Sequence, residues 1–147
     1  MNPKRLVDRL SDYWDRLRGE EIFPQFEQFN HTAVADLWDR CIVLEVENET
    51  HKKGGQLYTY QYMGKEIIKV YGTDLTGHYV NVNMHNFPGW QVLKSVDKIF
   101  DNPAVQQSHG SFVNDKDQVV KYRACVMPFG RNEKITHALV GISWKTF

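Results

Sequence analysis

Six histidines and two cysteines are the side chains of this chain best suited to metal binding or nucleophilic chemistry. His109 and His137 fall on the first and third of three strand-like segments, so two strand spacings of ~4.8 Å would keep them from sharing a metal ion. A single axial histidine could still hold haem. Cys41 and Cys125 lie in apolar, strand-like segments and fit neither a metal site nor a disulfide framework. We therefore predict no metal site, and Cys125 is expected to behave as a small buried apolar residue.

Sequence motifs typical of catalysis are missing. The sequence contains no G-x-G-x-x-G, P-loop or H-E-x-x-H pattern. Gly141-Ile-Ser143 begins like the turn that carries a nucleophilic serine, but Trp144-Lys145 follows in place of the second glycine. Asp97 and Asp101 have helical i,i+4 spacing, which is more typical of solvated charges than of an acid–base pair. We therefore do not expect an enzyme.

Length and composition predict one soluble domain. A chain of 147 residues, with 41% hydrophobic and 24% charged residues, can bury a core and is too apolar to be disordered. Eighteen basic residues balance eighteen acidic ones, so no net charge favours nucleic acid or an anionic membrane. The N-terminal stretch is amphipathic rather than signal-like, and no apolar run reaches the ~18 residues of a membrane span. These features predict a cytoplasmic protein that binds neither nucleic acid nor membranes.

The first helix is predicted from its end residues and its apolar stripe. Asn2 and Pro3 suit its start, and Gly19 suits its end. The apolar residues that recur at helical spacing along one side are Leu6, Leu10, Tyr13, Trp14 and Leu17. This stripe either packs on its own domain or contacts a second copy, as a homodimer, or a regulatory protein partner. If the stripe is such a contact, Leu10→Glu with Trp14→Glu should abolish self-association or partner binding without unfolding the sheet.

The remaining elements follow an order typical of one antiparallel sheet. Arg40–Val46 and Leu57–Tyr62 are predicted to form a hairpin with Tyr58, Tyr60 and Tyr62 on one face. The elements predicted after it are helices at 64–72 and 88–100 and strands at 105–113, 118–129 and 134–144, with Gly72 ending the first helix at positive φ. This order excludes a doubly wound parallel sheet and predicts an α+β fold. Because the last strand is apolar on both faces from Leu139 to Ile142, we expect it at the centre of the sheet, with the strands ordered second–first–fifth–fourth–third.

Several of these segments resemble a known family. The strand Leu57–Tyr62 runs directly into Gly64–Gly72 and Asp74–Gly77, and the strands Tyr122–Gly130 and Ile135–Ser143 close the chain. Together they resemble a PAS sensor domain, and most closely the bacterial PAS proteins that stand alone without an output domain. The resemblance implies a PAS-like domain over 38–147, with five antiparallel strands and helices on one face, preceded by an N-terminal helical extension over 1–37. It also implies a sensory role in signal transduction, through a small ligand, a protein partner or both.

The same resemblance bears on two cofactors. PAS-like haem sensors usually carry their axial histidine on the long helix, but 88–100 has none, and His85 just ahead of it is the one candidate. Light-sensing relatives bind flavin and need a reactive cysteine in an Asn-Cys-Arg-type motif, which 64–72 lacks. The sequence therefore gives no specific indication of haem or flavin, and the cofactor stays open.

A ligand pocket is expected where the helices stand off the sheet. The residues predicted to line it are Tyr71, Trp90, Leu93, Val96, Tyr122, Ala124 and either His137 or Ala138. The Tyr122 hydroxyl and a His137 nitrogen could orient a small ligand. The opposing interpretation is that the aromatic side chains simply fill the core. A haem- or metabolite-binding protein and a small enzyme of unknown reaction are the alternative functions.

Overall fold

The structure is a computed structural model that describes residues 5–47, 57–80, 89–114 and 116–147, without the side chains of 89–91 and 93. Most of these residues lie in helices and strands. The helices are α1 (Leu6–Arg18), α2 (Lys65–Tyr71) and α3 (Gly89–Asp101), and short 3₁₀ segments lie at Phe26–Gln28, His31–Val34 and Trp38–Arg40. The strands are β1 (Cys41–Val46), β2 (Tyr58–Met63), β3 (Gln106–Val113), β4 (Val119–Arg131) and β5 (Lys134–Thr146).

The five strands form one antiparallel sheet in the order β2-β1-β5-β4-β3. The first and last strands are neighbours at its centre, paired from Cys41 with Gly141 to Glu45 with His137. Leu139, Val140 and Ile142 are all buried, because both faces of β5 are covered. The α+β class, the antiparallel sheet and the strand order are therefore confirmed.

Helices α2 and α3 pack on one face of the sheet, which we call the α2/α3 face. Ile67 of α2 and Val96 and Ile99 of α3 are fully buried in the hydrophobic core on this face. Gly72 ends α2 at a φ of 102°, and its N–H donates to the Ile68 carbonyl over 2.7 Å. The prediction that Gly72 ends this helix in the left-handed conformation is confirmed, and Tyr71 is the last residue of α2.

Helix α1 packs on the opposite face, which we call the α1 face. It shares a second hydrophobic core with Met127, Phe129 and Leu139 of the sheet. The Trp14 indole N–H donates to the Pro128 carbonyl over 2.7 Å, which satisfies the one polar atom of that buried ring. Gly141 allows the close approach, since a Cβ added there would lie 2.2 Å from Leu10 Cδ1.

The interpretation of the α1 stripe as a partner contact has to be corrected. Leu6, Leu10 and Trp14 are buried against this chain's own sheet, and Tyr13 and Leu17 pack at the margin of the same core. The helix therefore covers the face of the sheet opposite α2 and α3. Glutamates at 10 and 14 would place two charges in a hydrophobic core, so this double variant is now expected to unfold the protein.

A bulge in β2 turns Tyr62 away from Tyr58 and Tyr60. The pairing of β2 with β1 shifts by one residue halfway along β1. Tyr58 and Tyr60 remain in the α2/α3 core, whereas Tyr62 stacks on Trp38 on the α1 face, with ring centroids 4.0 Å apart. The prediction that the three tyrosines share one face is therefore wrong at Tyr62, because an extra residue reverses the alternation of side chains.

Candidate functional site

The predicted pocket residues fall mainly on the α2/α3 face. Val96, Tyr122 and Ala124 are buried in its core, and Tyr71 packs against them from the end of α2. Trp90 and Leu93 belong to α3, but their side chains lie outside the described residues. The structure thus brings together four of the seven predicted side chains.

His137 lies on the opposite face and does not line this pocket. Its ring stacks on Phe26 at a centroid distance of 3.8 Å, and its Nδ1 lies 2.8 Å from Thr136 Oγ1. The adjacent residue, Ala138, is the one buried in the α2/α3 core. Successive side chains of a strand alternate between faces, so of the two alternatives Ala138 faces the predicted pocket and His137 does not.

Tyr58 joins the sheet to α3 through a hydrogen bond. Its hydroxyl donates to Asp97 Oδ1 over 2.6 Å. Burial raises the pKa of Tyr58, and the hydrogen bond to the Asp97 carboxylate raises it further. Tyr58 therefore stays protonated at neutral pH, and Asp97 Oδ1 is a hydrogen-bond acceptor at the edge of the core.

Tyr60 and Tyr71 are neutral hydroxyl groups on the same face. Burial, and to a smaller extent the neighbouring Tyr71, raise the pKa of Tyr60 to about 12. Burial also raises the pKa of Tyr71. Neither side chain is suited to act as a proton-transferring base near pH 7. Both are better suited to orienting a neutral partner by hydrogen bonds.

Two serines on this face were not singled out from the sequence. Ser95 of α3 is buried. Ser108 Oγ, on β3 opposite Ala124, is shielded from solvent and has no hydrogen-bond partner among the described residues. The signal available in the sequence was the alternation along β3, where every second residue is exposed and Ser108 has the buried parity. A buried hydroxyl without a hydrogen-bond partner is unusual in a folded core.

Metal and thiol chemistry receive little support from the described residues. No group of three His, Cys, Asp or Glu side chains within them could hold a metal ion. His85, the candidate haem ligand, lies outside the described residues. Both cysteines are free and buried, and burial raises the pKa of Cys125 to about 12, which makes a reactive thiolate unfavourable.

No protein-family model matches this chain, and no curated protein matches it. Within the described part of the chain, no helix is long and apolar enough to span a membrane. The function has to be inferred from the chemistry of the side chains themselves. On the α2/α3 face that chemistry is hydrogen bonding by neutral hydroxyls around an apolar core.

Proposed function

We propose that this chain is a PAS-like sensory or regulatory module, and that its signal is a small molecule bound between the sheet and helices α2 and α3. The strand order supports this proposal, since it is the order that the PAS resemblance implies. The two helices between β2 and β3 lie on one face, where a PAS-like ligand pocket would be. Helix α1 packs on the opposite face and does not enter this site.

The unpaired hydroxyl of Ser108 carries this proposal. Leaving a buried hydroxyl unsatisfied costs ~1–3 kcal/mol, so a folded core normally provides it with a partner. Ser108 Oγ has none among the described residues, whereas the Tyr58 hydroxyl is paired with Asp97. A bound ligand with a hydrogen-bonding group would supply the missing partner.

The groups on this face also limit the kind of ligand. The hydroxyls of Tyr60 and Tyr71 are neutral and can donate or accept hydrogen bonds, and the Asp97 carboxylate accepts them. The surrounding side chains, among them Val96 and Ala124, are apolar. This combination favours an uncharged, partly apolar small molecule with a hydrogen-bonding group.

Native mass spectrometry of the protein purified from its own host tests the proposal. We expect one small molecule bound per chain, released on denaturation. Ser108→Ala should reduce its retention, because the ligand loses a hydrogen bond of ~0.5–1.5 kcal/mol. Gln107→Ala is the control, since Gln107 is adjacent to Ser108 on the same strand but is exposed on the α1 face and does not line this core. A wild-type protein that carries no ligand, or a Ser108→Ala variant that retains it fully, would contradict the proposal.

Ala124→Leu distinguishes a ligand cavity from a filled core. Ala124 is 1% exposed on the α2/α3 face. If a ligand normally occupies the space beside it, the larger side chain fills that space, leaving stability unchanged or higher while excluding the ligand. If side chains already fill it, overpacking should lower the free energy of unfolding by ~1–3 kcal/mol. Urea unfolding of ligand-free protein separates the two outcomes, and a loss of that size would count against a pocket.

A further inference from the structure

A groove with basic walls crosses the α1 face beyond the N-terminus of α1. Its volume is about 700 Å³. The cationic residues that line it are Arg5, Lys121, Arg123 and Lys145, and His109, Ser111, Ser143 and Phe147 also line it. We call this surface the basic groove. Its strand cations, Lys121, Arg123 and Lys145, lie across the sheet from Ser108, whereas Tyr122 of the α2/α3 core also lines the groove.

The strand register gathers these side chains into two rows. Lys121 lies between Ser111 of β3 and Lys145 of β5, and Arg123 lies between His109 and Ser143. The alternating residues of β4, Val120 and Tyr122, are buried on the other face. The two rows are ~7 Å apart along the strands, and each row spans three strands over ~10 Å. The cations are therefore concentrated in a small area.

Among the described residues, no ion pair neutralises this concentration of positive charge. Other arginines are paired there: Arg9 with Asp36, Arg18 with Asp15, and Arg131 with Glu27. In contrast, none of the four groove cations forms an ion pair with a carboxylate of the described residues. Asp8, in the first turn of α1, is not among the residues that line the groove. Lys121 and Lys145 face each other directly across the strands, an arrangement that destabilises a sheet unless an anion lies between them.

We propose that the basic groove binds a phosphorylated small molecule with two or more linked phosphoryl groups. Arg123 can form paired hydrogen bonds to phosphate oxygens, and the two lysines supply point charges. Ser111 and Ser143 add hydroxyl donors. Arg5 precedes α1 at the rim of the groove, so the positive end of the helix dipole adds to the same potential.

The compactness of the charge favours a small ligand over a polymer. An extended nucleic acid would need basic contacts repeated along its backbone, whereas these cations lie within ~10 Å in a chain of zero formal net charge. A linked di- or triphosphate can contact Lys121, Arg123 and Lys145 together. The Phe147 ring is 69% exposed and lies 5.1 Å from Lys121 Nζ, where it offers a flat apolar surface to the organic part of such a ligand.

Isothermal titration calorimetry with inorganic tripolyphosphate and with ATP tests the proposal at low ionic strength. We expect saturable binding of one anion per chain, weakened when NaCl is raised from about 0.05 to about 0.5 M, because salt screens the cations. Lys121→Gln with Lys145→Gln, and separately Arg123→Gln, should each reduce the affinity at least tenfold. Lys134→Gln is the matched control, since Lys134 is an exposed lysine at the other end of β5 and should leave binding unchanged. Phe147→Ala should weaken ATP more than tripolyphosphate.

Three results would overturn the proposal. The first is no saturable binding of either anion below about 1 mM. The second is that the lysine double variant and Arg123→Gln both bind like wild type. The third is binding only to a single-stranded oligonucleotide or to vesicles containing phosphatidylserine, which would assign the groove to a macromolecule. Circular dichroism checks that each variant is folded, and if the double variant is not, Arg123→Gln decides the outcome.

Discussion

The two faces of the sheet are built from different chemistry. On the α1 face, aliphatic, aromatic and sulfur-containing side chains close tightly under one helix, and the indole N–H of Trp14 is hydrogen-bonded to the Pro128 carbonyl. On the α2/α3 face, buried tyrosines and serines are interspersed among the aliphatic residues, and Ser108 Oγ lacks a partner among the described residues. Polar groups inside a core cost free energy unless they are paired. The core on the α1 face therefore mainly stabilises the fold, whereas the core on the α2/α3 face also contains the polar groups on which the proposed ligand site depends.

The largest effect is expected on the α1 face. Leu10, on the side of α1 that faces the sheet, is fully buried. Leu10→Ala should lower the free energy of unfolding by ~2–5 kcal/mol, because it removes apolar contacts and leaves a cavity. Leu17→Ala, at the partly exposed end of the stripe, should cost clearly less. Urea unfolding measures both changes. Equal losses for the two variants would mean that α1 does not close this core as described.

Gly141→Ala tests how closely α1 approaches the sheet. The added methyl group would lie 2.2 Å from Leu10 Cδ1 and 3.0 Å from Leu6 Cδ2, so these side chains or the helix must shift. We expect a loss of ~1–3 kcal/mol in unfolding free energy. Ser143→Ala, two residues further along the same face, should leave the stability almost unchanged. A neutral Gly141→Ala variant would show that α1 is loosely docked, and the contrast between the two faces would weaken.

Tyr58→Phe tests the polar interactions of the α2/α3 face. The change removes the hydroxyl that donates to Asp97 and should lower the free energy of unfolding by ~0.5–1.5 kcal/mol. A double-mutant cycle with Asp97→Ala isolates the interaction, and the two losses should not add. Additive losses in thermal or urea unfolding would show that this hydrogen bond contributes nothing to stability.

The smallest effect is a pH dependence that arises from His137. Burial lowers the pKa of His137 below its ordinary value of 6.5, and the Glu27 carboxylate offsets part of this shift. Between the lowered pKa and 6.5, the unfolded chain binds more protons, so stability should fall as the pH decreases through this interval. His137→Gln should reduce that fall, as measured by urea unfolding at pH 7.5, 6.5 and 5.5. An unchanged pH dependence in the variant would assign it to other groups.

The fold could be predicted from the sequence where burial leaves a pattern. The segment from Leu139 to Ile142 is apolar on both faces, which is typical of a central strand, and β5 lies at the centre. Gly72 was predictable in the same way, because an αL residue at a helix end favours glycine. In both cases the local sequence and the tertiary environment favour the same residue types.

Other features depend on contacts that no local pattern contains. Because β5 is apolar on both faces, its sequence has no alternation that would show which face His137 occupies. In β2, a bulge reverses the face of Tyr62. The basic groove was missed because its cations lie on three separate segments of the chain. The available signal was the alternation at the start of β4, where Lys121 and Arg123 separate buried Val120, Tyr122 and Ala124. That pattern shows exposure, but only the strand register brings Lys145 beside Lys121.

The central position of β5 has a consequence for how the protein is made. Trp14 is hydrogen-bonded to a residue 114 positions further along the chain, and β1 pairs with β5, the last of the five strands of this sheet in chain order. Contacts between residues so far apart in sequence slow folding. During translation, α1 and one edge of β1 must therefore wait for β5, with apolar surface and unpaired backbone groups exposed in the meantime. The nascent chain should be most prone to aggregation, and most dependent on chaperones, in the interval before β5 leaves the ribosome.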